Sequence, residues 1–140
     1  MAKTQDPELM ARAEIAWRRA YAPYSKFYVG AAVRTASGRI YVGCNFEYGS
    51  YGATTCAERA AIAQAIACEG KRNQKIVIAR IALVAKRLGG GVQPKTVSPC
   101  GICRQVLNEF APTATVDFRL NGRVTSMRVS NLLPHAFKLK

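Results

Sequence analysis

The chain has 140 residues, of which 49% are hydrophobic, and 21 Lys and Arg against 8 Asp and Glu give a formal charge of +13. That length suits one domain spanning 1–140 with a real core, and no apolar run approaches the roughly 18–20 residues that cross a bilayer. The five cysteines are an odd number and the first six residues lack the apolar core of a signal peptide, so a disulfide scaffold is disfavoured and the cytoplasm is the expected setting.

The first element is a helix opened by Asp6-Pro7-Glu8, with Asp6 as cap and Pro7 in the first turn. Leu9, Ala13, Ala16, Trp17 and Ala20 mark its apolar face, and Pro23 is expected to stop it. Residues 27–35 and 39–45 read as strands around Ser37-Gly38. A helix then runs from Thr55 to about Glu69, where Gly70 ends it, with Ile62, Ala65, Ile66 and Glu69 at helical spacing. Residues 76–85 are a β-branched apolar run, expected to be a central strand. Lys86 to Val97 holds Gly89, Gly90, Gly91 and Pro94 and reads as a flexible loop. Ser98-Pro99 opens a third helix that runs to about Phe110. Strands at 114–120 and 123–129 flank Asn121-Gly122, a strong hairpin signal. A short helix or turn holds Leu132, Leu133 and Phe137. This order suits an α/β single domain with a mixed five-stranded sheet sandwiched between helices.

Chemistry concentrates in two segments, Cys56-Ala57-Glu58-Arg59 and Pro99-Cys100-Gly101-Ile102-Cys103-Arg104. Cys56, Cys100 and Cys103 can supply three thiolates to one zinc ion and leave a fourth position for water, which the metal turns into hydroxide near neutral pH. All three fall at expected helix N-termini, where a thiol loses its proton more readily. Alone, Pro-Cys-x-x-Cys could be a redox pair; Cys56 with Glu58 argues against that. Arg59 and Arg104 adjoin the ligands and could donate to the sulfurs, although Arg104 could equally be a surface charge. Glu58 lies close enough to move a proton without binding metal. Its competing reading is a helix cap, because Thr55-x-x-Glu58 matches a capping box. Asn45 and Glu47, two residues apart near a strand end, share a face and could bond sugar hydroxyls, or could be a turn cap and a solvated carboxylate.

A Cys-x-Glu followed by Pro-Cys-x-x-Cys is the signature of zinc nucleobase deaminases. The chain resembles the small homotetrameric cytidine deaminase family from about Tyr21 to Phe137. The likeness runs through Ala22-Pro23-Tyr24-Ser25-Lys26-Phe27, Gly43-Cys44-Asn45-Phe46-Glu47, both zinc segments and Leu132-Leu133-Pro134-His135-Ala136-Phe137. The resemblance implies a cytidine deaminase-like fold, one zinc ion per subunit and Glu58 as the catalytic proton shuttle. It further implies hydrolysis of cytidine and deoxycytidine to the uridine forms and ammonia, as in pyrimidine salvage. It places Phe27 against the base, Asn45 and Glu47 at the ribose 3′-hydroxyl, and Ala57 in the substrate-binding set. It gives Arg59 the part of a donor to the sulfurs, and it extends Tyr51 and Phe137 into a neighbouring subunit's site, where core aromatics are the alternative. Tyr48-Gly49 departs from the family's usual Asn-Ala, and the segment between Glu58 and Cys100 is longer than in compact members.

Three rival readings differ in class. A deaminase of a modified nucleoside such as blasticidin S would have to bind a cationic substrate with a +13 protein. An editing deaminase acting on cytosine in single-stranded nucleic acid needs an open site. A structural zinc module needs a fourth protein ligand, and none is evident; His135, the only histidine, reads as a surface residue. The dispersed basic charge reads as a solvated surface. It allows at most weak, nonspecific nucleic-acid contact, with Lys86, Arg87 and Lys95 foremost. Cys44 and Cys68 read as small buried hydrophobes.

Overall fold

In the computed structural model, which describes residues 4–139, helix α1 covers Pro7–Trp17 and is capped as its sequence implies: the Asp6 carboxylate accepts from the Leu9 N–H at 3.0 Å. The helix ends well before Pro23. Tyr21 must already be extended, because its N–H donates to the Asn45 carbonyl and its own carbonyl accepts from the Glu47 N–H. Ala20 therefore lies outside the helical face.

Strands β1 (Phe27–Thr35) and β2 (Ile40–Cys44) form the first hairpin, α2 spans Ala57–Glu69, and β3 (Ile78–Arg87) is the central strand. Helix α3 (Gly101–Phe110) precedes the β4 (Thr115–Leu120) and β5 (Arg123–Arg128) hairpin and the short α4 (Val129–Leu132). Asn121 and Gly122 both take positive φ at the second hairpin, the conformation for which the Asn-Gly pair is suited. The sheet order is β2-β1-β3-β4-β5, antiparallel except for the β3–β4 pair. This is the expected mixed five-stranded sheet.

Helix α1 covers one face through Leu9 and Ala13 against Ala32, Ala82 and Val84. Helices α2 and α3 cover the other, where Ala61, Ile62 and Leu107 meet Val33, Ile81, Leu83, Val116 and Phe118. Ile66, expected on the buried side of α2, is exposed. Glycine allows unusually close packing on both faces. A Cβ at Gly30 would lie 2.2 Å from the Ala13 carbonyl oxygen, and one at Gly43 would lie 2.3 Å from the Ala61 nitrogen. Gly43 thus lets α2, which carries Glu58, lie directly on β2, which leads into Asn45.

Candidate active site

Both β2 and β3 run antiparallel to β1, so they run parallel to each other and finish at the same end of the sheet. The helices that follow them begin there, as crossover helices between parallel strands must. Cys56 is the N-cap of α2, Cys100 the N-cap of α3, and Cys103 lies in the first turn of α3. Their sulfurs lie within 4.8 Å of one another, with Cys56 and Cys100 at 3.6 Å. Tetrahedral ligands at about 2.3 Å from zinc lie roughly 3.8 Å apart, so the spacing fits the metal.

The charges fit as well. A bond with the Cys103 thiol, together with the Arg59 guanidinium, holds Cys56 down at about 5 against the effect of burial. Cys103 is pushed far up by that same bond, by burial and by neighbouring negative charge. Three sulfurs at this spacing cannot all ionise unless a cation lies among them, and a set of thiolates suits zinc. Arg59 Nη2 donates to the Thr54 carbonyl at 2.8 Å and to Cys56 Sγ at 3.7 Å.

Glu58 is the second residue of α2 and is only 3% exposed. The capping box does not form. Cys56 rather than Thr55 is the N-cap, so Arg59 takes the third helical position and no side chain caps the helix. Burial, reinforced by the Cys56 charge, pushes the Glu58 carboxyl up to about 7; its own backbone N–H, the Cys103 thiol and Arg59 oppose that rise.

A cleft of about 410 Å³ opens at this end of the sheet. Cys56, Ala57, Glu58 and Cys100 contribute to its lining, as do Phe27, Asn45, Glu47 and Tyr51. Asn45 and Glu47 lie just past β2, and the chain stays extended there because Phe46 bridges to Tyr21 and Thr55. Asn45 braces β1: its Oδ1 accepts from the Val29 N–H and its Nδ2 donates to the Phe27 carbonyl, both at 2.9 Å. Glu47 accepts from the N–H groups of Tyr24 at 3.0 Å and Ser25 at 3.2 Å, and from the Ser25 hydroxyl. Burial alone would raise its pKa, but these bonds and Lys26 outweigh burial and hold the carboxyl below its usual value. Glu47 is therefore neither solvated nor free.

Phe137 lies outside this lining. It is 69% exposed, and its carbonyl accepts from Gln105 Nε2 at 2.8 Å. Tyr51 is 53% exposed while it lines the cleft, so neither aromatic is a core residue. Arg104 does not reach the sulfurs. Its guanidinium turns to the Pro99 carbonyl at 2.8 Å, the Leu132 carbonyl at 2.9 Å and the Ser98 hydroxyl at 3.0 Å, tying the Cys100 loop to the C-terminal segment. His135 is exposed and lies apart from the sulfur cluster. Cys68 is exposed rather than buried, and Cys44 is half-buried.

Two residues in the site had no role from sequence. Ser25 braces Glu47, which no sequence pattern signals. Arg87, read as part of a flexible loop, lines the cleft. Strand parity could have revealed it: β3 runs two residues beyond Ala85, which places Arg87 on the same face as Leu83. Lys86 is also engaged, bonded to Glu14 at 2.6 Å and placed over the Trp17 ring. Of the three basic residues named for nucleic-acid contact, only Lys95 keeps an unassigned charge.

The family described as the cytidine and deoxycytidylate deaminase zinc-binding region matches residues 3–118. A cytidine deaminase of Sporosarcina psychrophila is 42% identical over 132 residues, covering 93% of this chain and 89% of that one. The crystal structure of a cytidine deaminase from Burkholderia pseudomallei superposes with a TM-score of 0.79 at 39% identity, covering 96% of this chain and all of that chain. A blasticidin-S deaminase of Bacillus cereus is more distant, 30% identical over 110 residues, covering 79% of this chain and 76% of that one.

Proposed function

This chain belongs to the cytidine and deoxycytidylate deaminase zinc-binding family, and from that premise we propose that it hydrolyses cytidine and deoxycytidine to uridine and deoxyuridine with release of ammonia. The observation that carries this reading is the meeting of three sulfurs and the buried Glu58 in one cleft that also holds Asn45 and Glu47.

Cys56, Cys100 and Cys103 would hold the zinc, and Arg59 would offset part of their negative charge. When bound, zinc supplies a Lewis acid that makes water a nucleophile near neutral pH. Glu58 takes a proton from the attacking water and delivers it to N3 of the ring as oxygen bonds to C4. It then passes a proton to the exocyclic amine, the C4–N bond breaks, and ammonia leaves. A buried carboxyl raised toward neutrality can both accept and return a proton. Asn45 already spends its oxygen and one N–H on β1, so one amide N–H is left for a hydroxyl. Glu47, held ionised, accepts from that hydroxyl, Phe27 packs on the base, and the Ala57 backbone borders it.

A homotetramer with shared sites, acting in the cytoplasm in pyrimidine salvage, completes the proposal. Its support is the exposed aromatic patch of Tyr21, Tyr24, Phe46, Tyr48 and Tyr51 beside the cleft. A patch of this kind marks an interaction surface. No helix is long and apolar enough to cross a membrane. The test is loss of cytidine absorbance on mixing with protein of known zinc content. No turnover by a fully zinc-loaded chain would overturn the assignment, and faster turnover of blasticidin S or of an oligonucleotide would redirect it.

A further inference from the structure

The glycine-rich segment after β3 is folded into a defined shape. Gly89, Gly90 and Gly91 all take positive φ, between 80 and 96°. A side chain at any of them would be strained, and together they turn the chain back within a few residues. The Gln93 side chain then closes on the Arg87 backbone. Its Oε1 accepts from the Arg87 N–H at 2.9 Å and its Nε2 donates to the Arg87 carbonyl at 2.6 Å. Leu88 N–H donates to the Lys26 carbonyl at 3.0 Å. Arg87 is therefore held on both sides by the loop that follows it, opposite Phe27 in the β1–β3 register.

Its guanidinium lies 5.8 Å from the centre of the Phe27 ring, and its Nη1 donates to the Ser25 carbonyl at 3.3 Å. Ser25 is also the residue that braces Glu47. The charge thus lies at the Glu47 end of the cleft. Nε and Nη2 make no hydrogen bond to the described residues, and Arg87 is the only cation in the lining. A neutral nucleoside has no use for a fixed positive charge there. A planar fork of unspent donors matches phosphate.

We propose that Arg87 is a phosphate-binding residue and that this cleft takes pyrimidine nucleoside 5′-monophosphates in addition to free nucleosides. The inference rests on the orientation given above, with the base at Glu58 and the sugar at Asn45 and Glu47. The 5′ position follows because Glu47, held ionised, repels a phosphate on the hydroxyl that it bonds.

The test is inhibition of cytidine turnover by uridine, 5′-UMP and 3′-UMP, which have no amine to lose. The quantity read is each nucleotide's inhibition constant divided by that of uridine. In the unmodified protein 5′-UMP inhibits at least as well as uridine, 3′-UMP does worse, and added salt weakens only the nucleotides. Arg87→Ala and Arg87→Gln raise the 5′-UMP ratio about tenfold, the scale of one charged bond, and Arg87→Lys keeps most of it. An unchanged ratio in Arg87→Ala, or equal inhibition by 3′-UMP, overturns the proposal and leaves Arg87 as a cation packed on Phe27. If the zinc-loaded protein does not turn over cytidine, the deaminase reading fails instead. The same ratio is then read by equilibrium dialysis with uridine and 5′-UMP.

Discussion

The sulfurs of Cys56 and Cys100 lie 3.6 Å apart although 44 positions separate them in the chain. Parallel β2 and β3 bring them together, because α2 and α3 begin at the same end of the sheet. Single alanine substitutions at Cys56, Cys100 or Cys103 are therefore expected to lose zinc and turnover together. Metal analysis of each purified variant, beside the cytidine assay, measures this. A variant that holds one zinc per chain with full turnover would remove that residue from the ligand set.

Glu58→Gln separates chemistry from structure. The amide fits the same buried volume, so the fold and the zinc should be retained. Turnover should fall at least ~10²–10⁴-fold, the usual contribution of a general acid or base. Near-normal turnover with full zinc would reduce Glu58 to a packing residue.

Gly43→Ala tests the approach of α2 to β2. A Cβ there meets the Ala61 nitrogen at 2.3 Å and the Ala57 carbonyl oxygen at 2.5 Å, both backbone atoms that cannot move alone. The helix must shift, and overpacking of this kind costs about 1–3 kcal/mol. Urea unfolding should show that loss, and zinc binding should weaken because Cys56 rides on the displaced helix. An unchanged unfolding midpoint would show that the contact is slack.

The Cys56, Cys100, Cys103 and Glu58 constellation was legible because metal chemistry demands those residue types at close spacing. The hairpin at Asn121-Gly122 was legible because few residues tolerate its backbone. Features set by distant partners were not. The end of α1 at Trp17 depends on Tyr21 pairing with Asn45, and the extension of β3 to Arg87 depends on Phe27 across the sheet. Arg104 adjoins a ligand in sequence, yet its long side chain turns to Leu132, 28 positions away. Exposed Ile66 would follow from an undrawn subunit contact, which one chain's periodicity does not register.

Glu47 carries a pH signature. Its carboxyl is held below the usual 4.5, with burial opposed and outweighed by the Ser25 and Tyr24 bonds and by Lys26. A carboxyl lowered on folding contributes stability that is fully present above its unfolded value and is lost as pH falls through the folded one. Glu47→Gln should therefore be less stable than the parent at pH 7, and the gap in urea midpoints should close as the pH is taken below 4.5. At pH 7 the same variant should raise KM about 10–100-fold, the range for losing a hydrogen bond to a charged group. A midpoint gap that does not change with pH would show that the Glu47 charge is not what the fold uses.

Phe137 gives the sharpest test of shared sites. It lies outside the cleft of its own chain, 69% exposed, on a tail tethered by Gln105 and by Arg104 through Leu132. An aromatic held in that exposed position is suited to cover a neighbour's cleft. Phe137→Ala should then leave zinc and the fold intact while turnover falls, chiefly through KM. Co-expressing Glu58→Ala and Phe137→Ala chains should restore activity, because some sites in mixed assemblies draw Glu58 from one chain and Phe137 from another. Mixing the two after separate assembly should restore it only as fast as subunits exchange. Light scattering supplies the independent check. A monomer with full activity, or mixed chains no more active than the sum of the separate ones, would confine each site to a single chain.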